Sequence, residues 1–427
     1  MPFLVYPTSG TTVENVVRLH ATYGPVVQIS PNEASLTSAD TGWYGFRTHR
    51  LAGTQNNPKD PAWYPSAANG VPSIGLADDV DHSKGRRVLS HAFSEKALAE
   101  QEPLIQKYVD RLVDRLAEHA SSRSAPVDLP KWYNWITFDI VANLIFGEPF
   151  GCLQNLTIHN EDFRFFYIKT YYPVMQYVAG LLVNEEMICK RIEYRLEKEP
   201  QRMDFMTHVL RHNGEKGYTM GKEQIDSNAL LLLTAGPATL LSACTYLLLT
   251  NPDKLDKLKH AVRGTWQTFD QITLAEVNNL PYLLAVLNEA LRLFPPVPVG
   301  FGRKIASESA QISDHWLPGG TGASISEYAA YHSRENFKNP DEYILERWLG
   351  GAEFANDKRD AMQPFAYGPR ARLGKNLAYA EMRLVVGKIV WRFDMQLDKR
   401  CQNWIKECKV IWKKPELNVY IREAVRS

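Results

Sequence analysis

The chain has 427 residues, 44% of them hydrophobic and 23% charged, with a formal net charge of +1, a composition able to bury a large core. The near-neutral balance, with no basic stripe interleaved with aromatics, excludes a nucleic-acid partner. Five cysteines, Cys152, Cys189, Cys244, Cys401 and Cys408, are scattered without CxxC spacing, which excludes a disulfide framework or a cysteine metal site and reads as free thiols in a reducing compartment.

In chain order, Thr12–His20 has helical spacing and is broken by Tyr23-Gly24-Pro25. Val26–Ser30 and Glu33–Thr37 read as short strands around a Pro31-Asn32 turn. From Ala97 to Val127 the recurrence of Leu104, Ile105, Tyr108, Val109, Leu112 and Leu116 predicts a helix. Helical patterns continue through Trp132–Phe146, Asp162–Gly180, Glu186–Leu196 and Asp204–Arg211. A long helix is expected over 224–249, and Pro281–Phe294 forms another that Pro295-Pro296 stops. Short β-like pieces follow at Arg303–Ala306, Ala310–Ile312 and Ala323–Ile325, then a last helix from about Asn376 to Trp391. Val410–Ile421 alternates as a closing strand pair would. No repeat, low-complexity tract or linker divides the chain, so one mainly α domain with small sheets is expected over 1–427.

Only Ser227–Pro252 is long and uncharged enough to suggest a membrane span. It contains Thr234, Gly236, Pro237, Thr239, Ser242 and Thr245, and a helix apolar nearly all round can equally be the central helix of a large protein. A buried helix and no integral span are expected.

Glu289-Ala-Leu-Arg292 sets a carboxylate and a guanidinium on one helical face. Downstream come Pro340-Asp-Glu-Tyr-Ile-Leu-Glu346-Arg347-Trp348 and Pro364-Phe365-Ala-Tyr-Gly368-Pro-Arg370-Ala-Arg372-Leu-Gly374. This order and spacing resemble the helix-K ExxR motif, the meander and the haem-binding loop of the cytochrome P450 family, most of all its fungal secondary-metabolism members. Ala235-Gly236-Pro237-Ala238-Thr239 stands where that family's long helix carries AGxET, and His82-Ser-Lys-Gly-Arg86-Arg87 resembles its helix C. The resemblance implies a P450-like helical prism. It also implies a buried structural network of Glu289, Arg292 and Arg347, and a propionate clamp of His82, Arg86, Arg303 and Arg370. The family's membrane anchor and proline-rich hinge are not seen ahead of the matching region, either because the front has been trimmed or because the natural protein is soluble. A location in the cytoplasm or peripheral to the endoplasmic reticulum is expected.

Two positions depart from the family pattern. Where the resemblance places the iron-ligating cysteine, the chain has Arg372; a guanidinium has no lone pair to give a metal, whereas a thiolate favours O–O cleavage. Where the family's long helix carries the acid of an acid–alcohol pair, the chain has Ala238, preceded by Pro237, which should kink the helix. The expectation is therefore a protein without cofactor, haem included, that needs no redox partner. If no haem pairs the clamp, an anion binds there, acidic side chains have moved in, or the site has opened to water. The expected chamber, lined by Tyr64, Ile74, Leu76, Ala238, Val297, Val299 and Phe301, would take a bulky hydrophobic terpenoid or polyketide. A carboxylated substrate would explain the retained cations. Thr239, Thr234, Ser242 and Arg303 are the candidate donors for a redox-neutral cyclisation, such as an intramolecular Diels–Alder addition. The alternatives are a non-catalytic binding partner or metabolite carrier, and an atypical haem protein without a thiolate.

Overall fold

Helix α1 (Thr12–Tyr23) leads into a hairpin of β1 (Val26–Ser30) and β2 (Glu33–Leu36), with Gly24 in the left-handed region at φ 92° making the turn between helix and strand. In this computed structural model the described residues are 12–39, 42, 57–64, 69–122, 125–156, 185–197, 203–233, 237–306, 308–408 and 414–425. The helix expected over Asp162–Gly180, the candidate donor Thr234 and the first part of the expected Val410–Ile421 strand pair lie outside them.

Helix α2 (Asp79–Ser90) is capped by the Asp78 carboxylate, which accepts from the Asp81 amide. The 28-residue α3 (Glu95–Ser122) follows. Its buried stripe of Ile105, Tyr108, Val109, Leu112, Val113 and Leu116 is the one its periodicity predicts. A two-residue strand, β3 (Val127–Asp128), precedes α4 (Leu129–Phe146), which is buried on nearly every face and ends on left-handed Gly147. Helices α5 (Glu185–Glu197) and α6 (Phe205–His212) come next.

The expected long helix is described as two pieces, α7 (Lys222–Leu233) and α8 (Ala238–Thr250). Pro237 occupies the position before α8 with φ −79° and ψ 5°; its ring holds φ near the helical value, and its missing N–H is tolerated at a helix start. The stretch Lys222–Thr250 is long and apolar enough to cross a membrane, but two thirds of its most apolar window is buried within the protein. Helix α8 packs on α4, and Tyr133 hydrogen-bonds Thr245 across the contact at 2.8 Å. The polar α9 (Pro252–Thr265), which the apolar pattern does not announce, joins α8 to α10 (Pro281–Leu293).

Beyond α10 the chain forms β4 (Arg303–Lys304), β5 (Ser309–Ile312), β6 (His315–Pro318) and β7 (Gly322–Ile325). Strands β1, β2, β7 and β4 form one sheet in that order, with β2 and β7 parallel. β5 and β6 form a hairpin of their own. After α11 (Glu327–Tyr331) and the meander, α12 (Lys375–Arg392) runs into β8 (Phe393–Leu397). The closing element is a single strand, β9 (Asn418–Glu423), between β3 and β8. A large apolar core joins the helices, and a second, smaller one lies against the four-stranded sheet.

Candidate functional site

The segment before α2 crosses α7, where the Ile74 amide donates to Asn228 Oδ1 at 2.8 Å and Ser227 Oγ donates to the Val71 carbonyl at 2.8 Å. The same segment reaches the 297–303 stretch, where the Asp60 amide donates to the Gly302 carbonyl at 3.1 Å. The Tyr64 and Phe301 rings lie 5.7 Å apart. Tyr64, Ile74, Leu76, Val297, Val299 and Phe301 are half-buried, as lining residues would be, and Ala238 is buried. Close packing explains one glycine of this wall: a Cβ at Gly300 would fall 2.1 Å from the Ile325 carbonyl oxygen.

Of the candidate donors, Thr239 is half-buried in the first turn of α8 and accepts a hydrogen bond from Lys414 Nζ at 3.1 Å. Ser242 is fully buried and its hydroxyl donates back to the Ala238 carbonyl at 2.8 Å, so that donor is taken up within the helix. Arg303 is buried and donates to the Asn57 carbonyl at 2.7 Å.

The four clamp residues share one electrostatic environment. Arg86 donates to the Ala371 carbonyl, next to Arg372. Arg370 pairs with Asp79 at 2.6 Å and donates to the Ala77 carbonyl at 3.0 Å. Lys59, which no motif singles out, joins them and donates to the carbonyls of Gly75 and Ala77, both at 2.6 Å. Burial, then Arg370 and Arg303, push the Lys59 amine down to about 7. Burial, then Arg370, Arg86 and Lys59, push His82 down to about 4. Asp79 offsets these shifts only in part, and it pairs with Arg370, while backbone carbonyls accept from Arg86 and Arg303.

Arg372 is exposed; its guanidinium donates to the Pro364 carbonyl at 3.0 Å and its amide to the Phe365 carbonyl at 2.8 Å. Glu289, Arg292 and Arg347 are wholly buried. Glu289 is held by Arg292 at 2.8 and 2.9 Å, by Arg347 at 3.0 Å and by Trp348 Nε1 at 2.8 Å. Arg347 also binds Asp357, and Arg292 reaches the carbonyls of Tyr331 and Pro340 at 2.7 and 2.6 Å. Every charge in this knot has partners, and it ties α10 to the meander. Elsewhere the His91 and His212 rings stack 3.7 Å apart, and with Glu215 they offer ligand atoms within 4.8 Å of one another. The sequence, which suggests no metal, does not flag that cluster.

The sequence model of the family described as Cytochrome P450 matches residues 1–421. Among similar proteins, "Cytochrome P450 monooxygenase traB" of Penicillium crustosum is 48% identical, covering 100% of this chain and 90% of that protein. "Trichothecene C-15 hydroxylase" of Fusarium sporotrichioides is 38% identical, covering 99% and 90% respectively. "Averantin hydroxylase" of Dothistroma septosporum is 37% identical, covering 98% and 83%. These likenesses point to haem and overturn the expectation, drawn from Arg372, that the chain carries no cofactor. The residues fit haem at one end only. Lys59, His82, Arg86, Arg303 and Arg370 form a cationic edge suited to two carboxylates. The axial position assigned by the loop resemblance holds Arg372, which cannot ligate iron. Burial pushes the thiols of Cys152, Cys244 and Cys408 up to about 12.

Proposed function

Because this chain belongs to the cytochrome P450 family, and within it to the fungal secondary-metabolism group, we propose that it binds a bulky hydrophobic metabolite, a terpenoid or polyketide, and promotes a redox-neutral cyclisation. The observation that carries this reading is Arg372 at the axial position, its guanidinium directed to the Pro364 carbonyl. Ala238 beside Thr239 supports it independently, because a methyl group relays no proton. A thiolate-driven oxygen cleavage is left without its ligand and its acid, while the apolar walls remain.

A cyclisation such as an intramolecular Diels–Alder addition needs chiefly a folded reactive conformer, and confining it in a shaped chamber removes much of the entropic barrier. A fixed donor aimed at an activating carbonyl adds electrostatic assistance; Thr239, with Lys414 behind it, is the best-supported candidate for that part. In this reading no redox partner takes part, and the protein works in the cytoplasm or at the surface of the endoplasmic reticulum. The cationic edge favours one further reading, in which haem is held there without a thiolate and has a structural role or residual activity.

Purified protein is incubated with linear polyene intermediates of terpenoid or polyketide type, without NADPH or reductase. The expected result is faster cyclisation than in buffer, unchanged when NADPH and a reductase are added. Turnover that occurs only with NADPH, reductase and oxygen would sink the proposal, and absence of any turnover would favour a carrier. An absorption spectrum of the same preparation, before and after reduction under carbon monoxide, reports the state of the haem edge separately.

A further inference from the structure

Lys414 stands four residues ahead of β9, in a segment that neither a motif nor the family resemblance marks. Its ammonium crosses to the central helix and donates to Thr239 Oγ1 at 3.1 Å. Protein crowds it on most sides, and burial pushes its amine down to about 8. Among the described residues, Cys408 and Asp128 are the titratable groups whose fields reach it. The Cys408 thiol is itself held protonated by burial. Asp128 is engaged elsewhere, by Lys131 at 3.0 Å and by the Leu417 amide at 3.1 Å. No carboxylate among the described residues pairs with Lys414, which leaves a desolvated cation resting on a neutral hydroxyl.

Such a cation is costly unless something anionic completes it. Its location restricts what that can be. Thr239 begins α8 directly after buried Ala238 and the Pro237 turn, within the apolar wall assigned to the metabolite. The cations at the other end are already engaged: Arg370 by Asp79, and Arg86 and Arg303 by backbone carbonyls.

We propose that Lys414 and Thr239 form an anchor for a carboxylate carried by an otherwise apolar metabolite. The ammonium supplies the charge. Thr239, which accepts from Lys414, still has its own hydroxyl proton to donate to the second carboxylate oxygen. The proposal rests on the chamber reading above and changes the part given there to Thr239: the substrate is acidic, and its acid group, rather than an activating carbonyl, takes the Thr239 proton at α8. A carboxylate fixed there would orient the remaining chain, which is the positional control a cyclisation requires.

Dodecanoate and its neutral counterpart dodecanol test this by calorimetric titration of the full chain. The parent protein should prefer the acid by about tenfold or more near neutral pH, as a desolvated charge pair implies. With the ammonium pKa near 8 in the free protein, the preference should fade as pH rises well above that value. Lys414→Met should bring the acid and the alcohol to parity, whereas Lys414→Arg should retain most of the preference. An undiminished preference in Lys414→Met, or two equal affinities in the parent, would overturn the anchor while leaving the chamber intact. Failure of both amphiphiles to bind would remove the chamber and the anchor together.

Discussion

Glu381 lies on α12, 1% exposed, and its Oε2 has no hydrogen-bond partner. Burial pushes this carboxyl up from 4.5 to about 8. The sign of the linkage follows. Between those two values the folded chain keeps a proton that the unfolded chain releases, so stability falls as pH rises through that interval. Glu381→Gln should flatten this slope and make the protein more stable than the parent at slightly alkaline pH. Urea denaturation at several pH values reads both effects; a parent stability that does not fall across the interval would refute the assignment. At Glu289 the opposite is expected. Glu289→Gln leaves Arg292 and Arg347 buried against a neutral amide, with Asp357 the one remaining carboxylate of the knot. The cost should be on the order of 3–5 kcal/mol, seen as a lower denaturation midpoint. The knot is legible in the sequence because Glu289 and Arg292 lie within one helical turn and Arg347 follows in a recognisable meander. Lys59 and Lys414 are not legible: neither belongs to a motif, and Lys414 meets a hydroxyl 175 positions away, where periodicity carries no information.

At the scale of elements, α6 depends on Asp204. Its carboxylate accepts from the Thr207 amide at 2.8 Å and pairs with Arg195 of α5 at 2.8 and 2.9 Å, with both side chains buried. Asp204→Ala removes a cap and strands a buried guanidinium, so a loss of at least about 3 kcal/mol is expected. Asp204→Asn, which can still cap, should be milder; equal losses would show that the cap contributes nothing and that the lost pairing with Arg195 accounts for the whole effect. Most elements could be read in advance because their apolar spacing is strong: α3, α4 and α10 fall within a few residues of their predicted spans, and the β1–β2 hairpin surrounds its Pro31-Asn32 turn. The polar α9 escapes such reading because Leu255, Leu258 and Val262 make only a thin buried stripe among lysines and aspartates. Strand β6 escapes because Trp316 and His315 face outward and the hairpin geometry, not alternation, fixes it. Pro237 ahead of α8 can be read directly from the sequence, whereas the hydrogen bond that takes Ser242 out of the donor set depends on rotamer choice and cannot be read from spacing.

For the whole molecule, the question is how a P450 fold behaves with Arg372 where the loop resemblance places a cysteine. Arg372→Cys offers the direct test. With the cationic edge in place, the variant should give a carbon-monoxide difference spectrum characteristic of thiolate ligation after haem supplementation. NADPH-supported hydroxylation should stay at background, because Ala238 and Pro237 are unchanged. Robust hydroxylation by the single variant would show that the central helix is not an independent obstacle. The fold itself shows where the last strand matters. β9 lies between β3, at the entry to α4, and β8, at the exit of α12, so residues 414–423 act as a clasp between the first and last thirds of the chain. The same ten residues deliver Lys414 to the central helix. A frameshift or early stop that removed them would unfasten the body and erase its acid-reading contact in one event. Fusion partners are therefore better appended beyond Ser427 than exchanged for that strand.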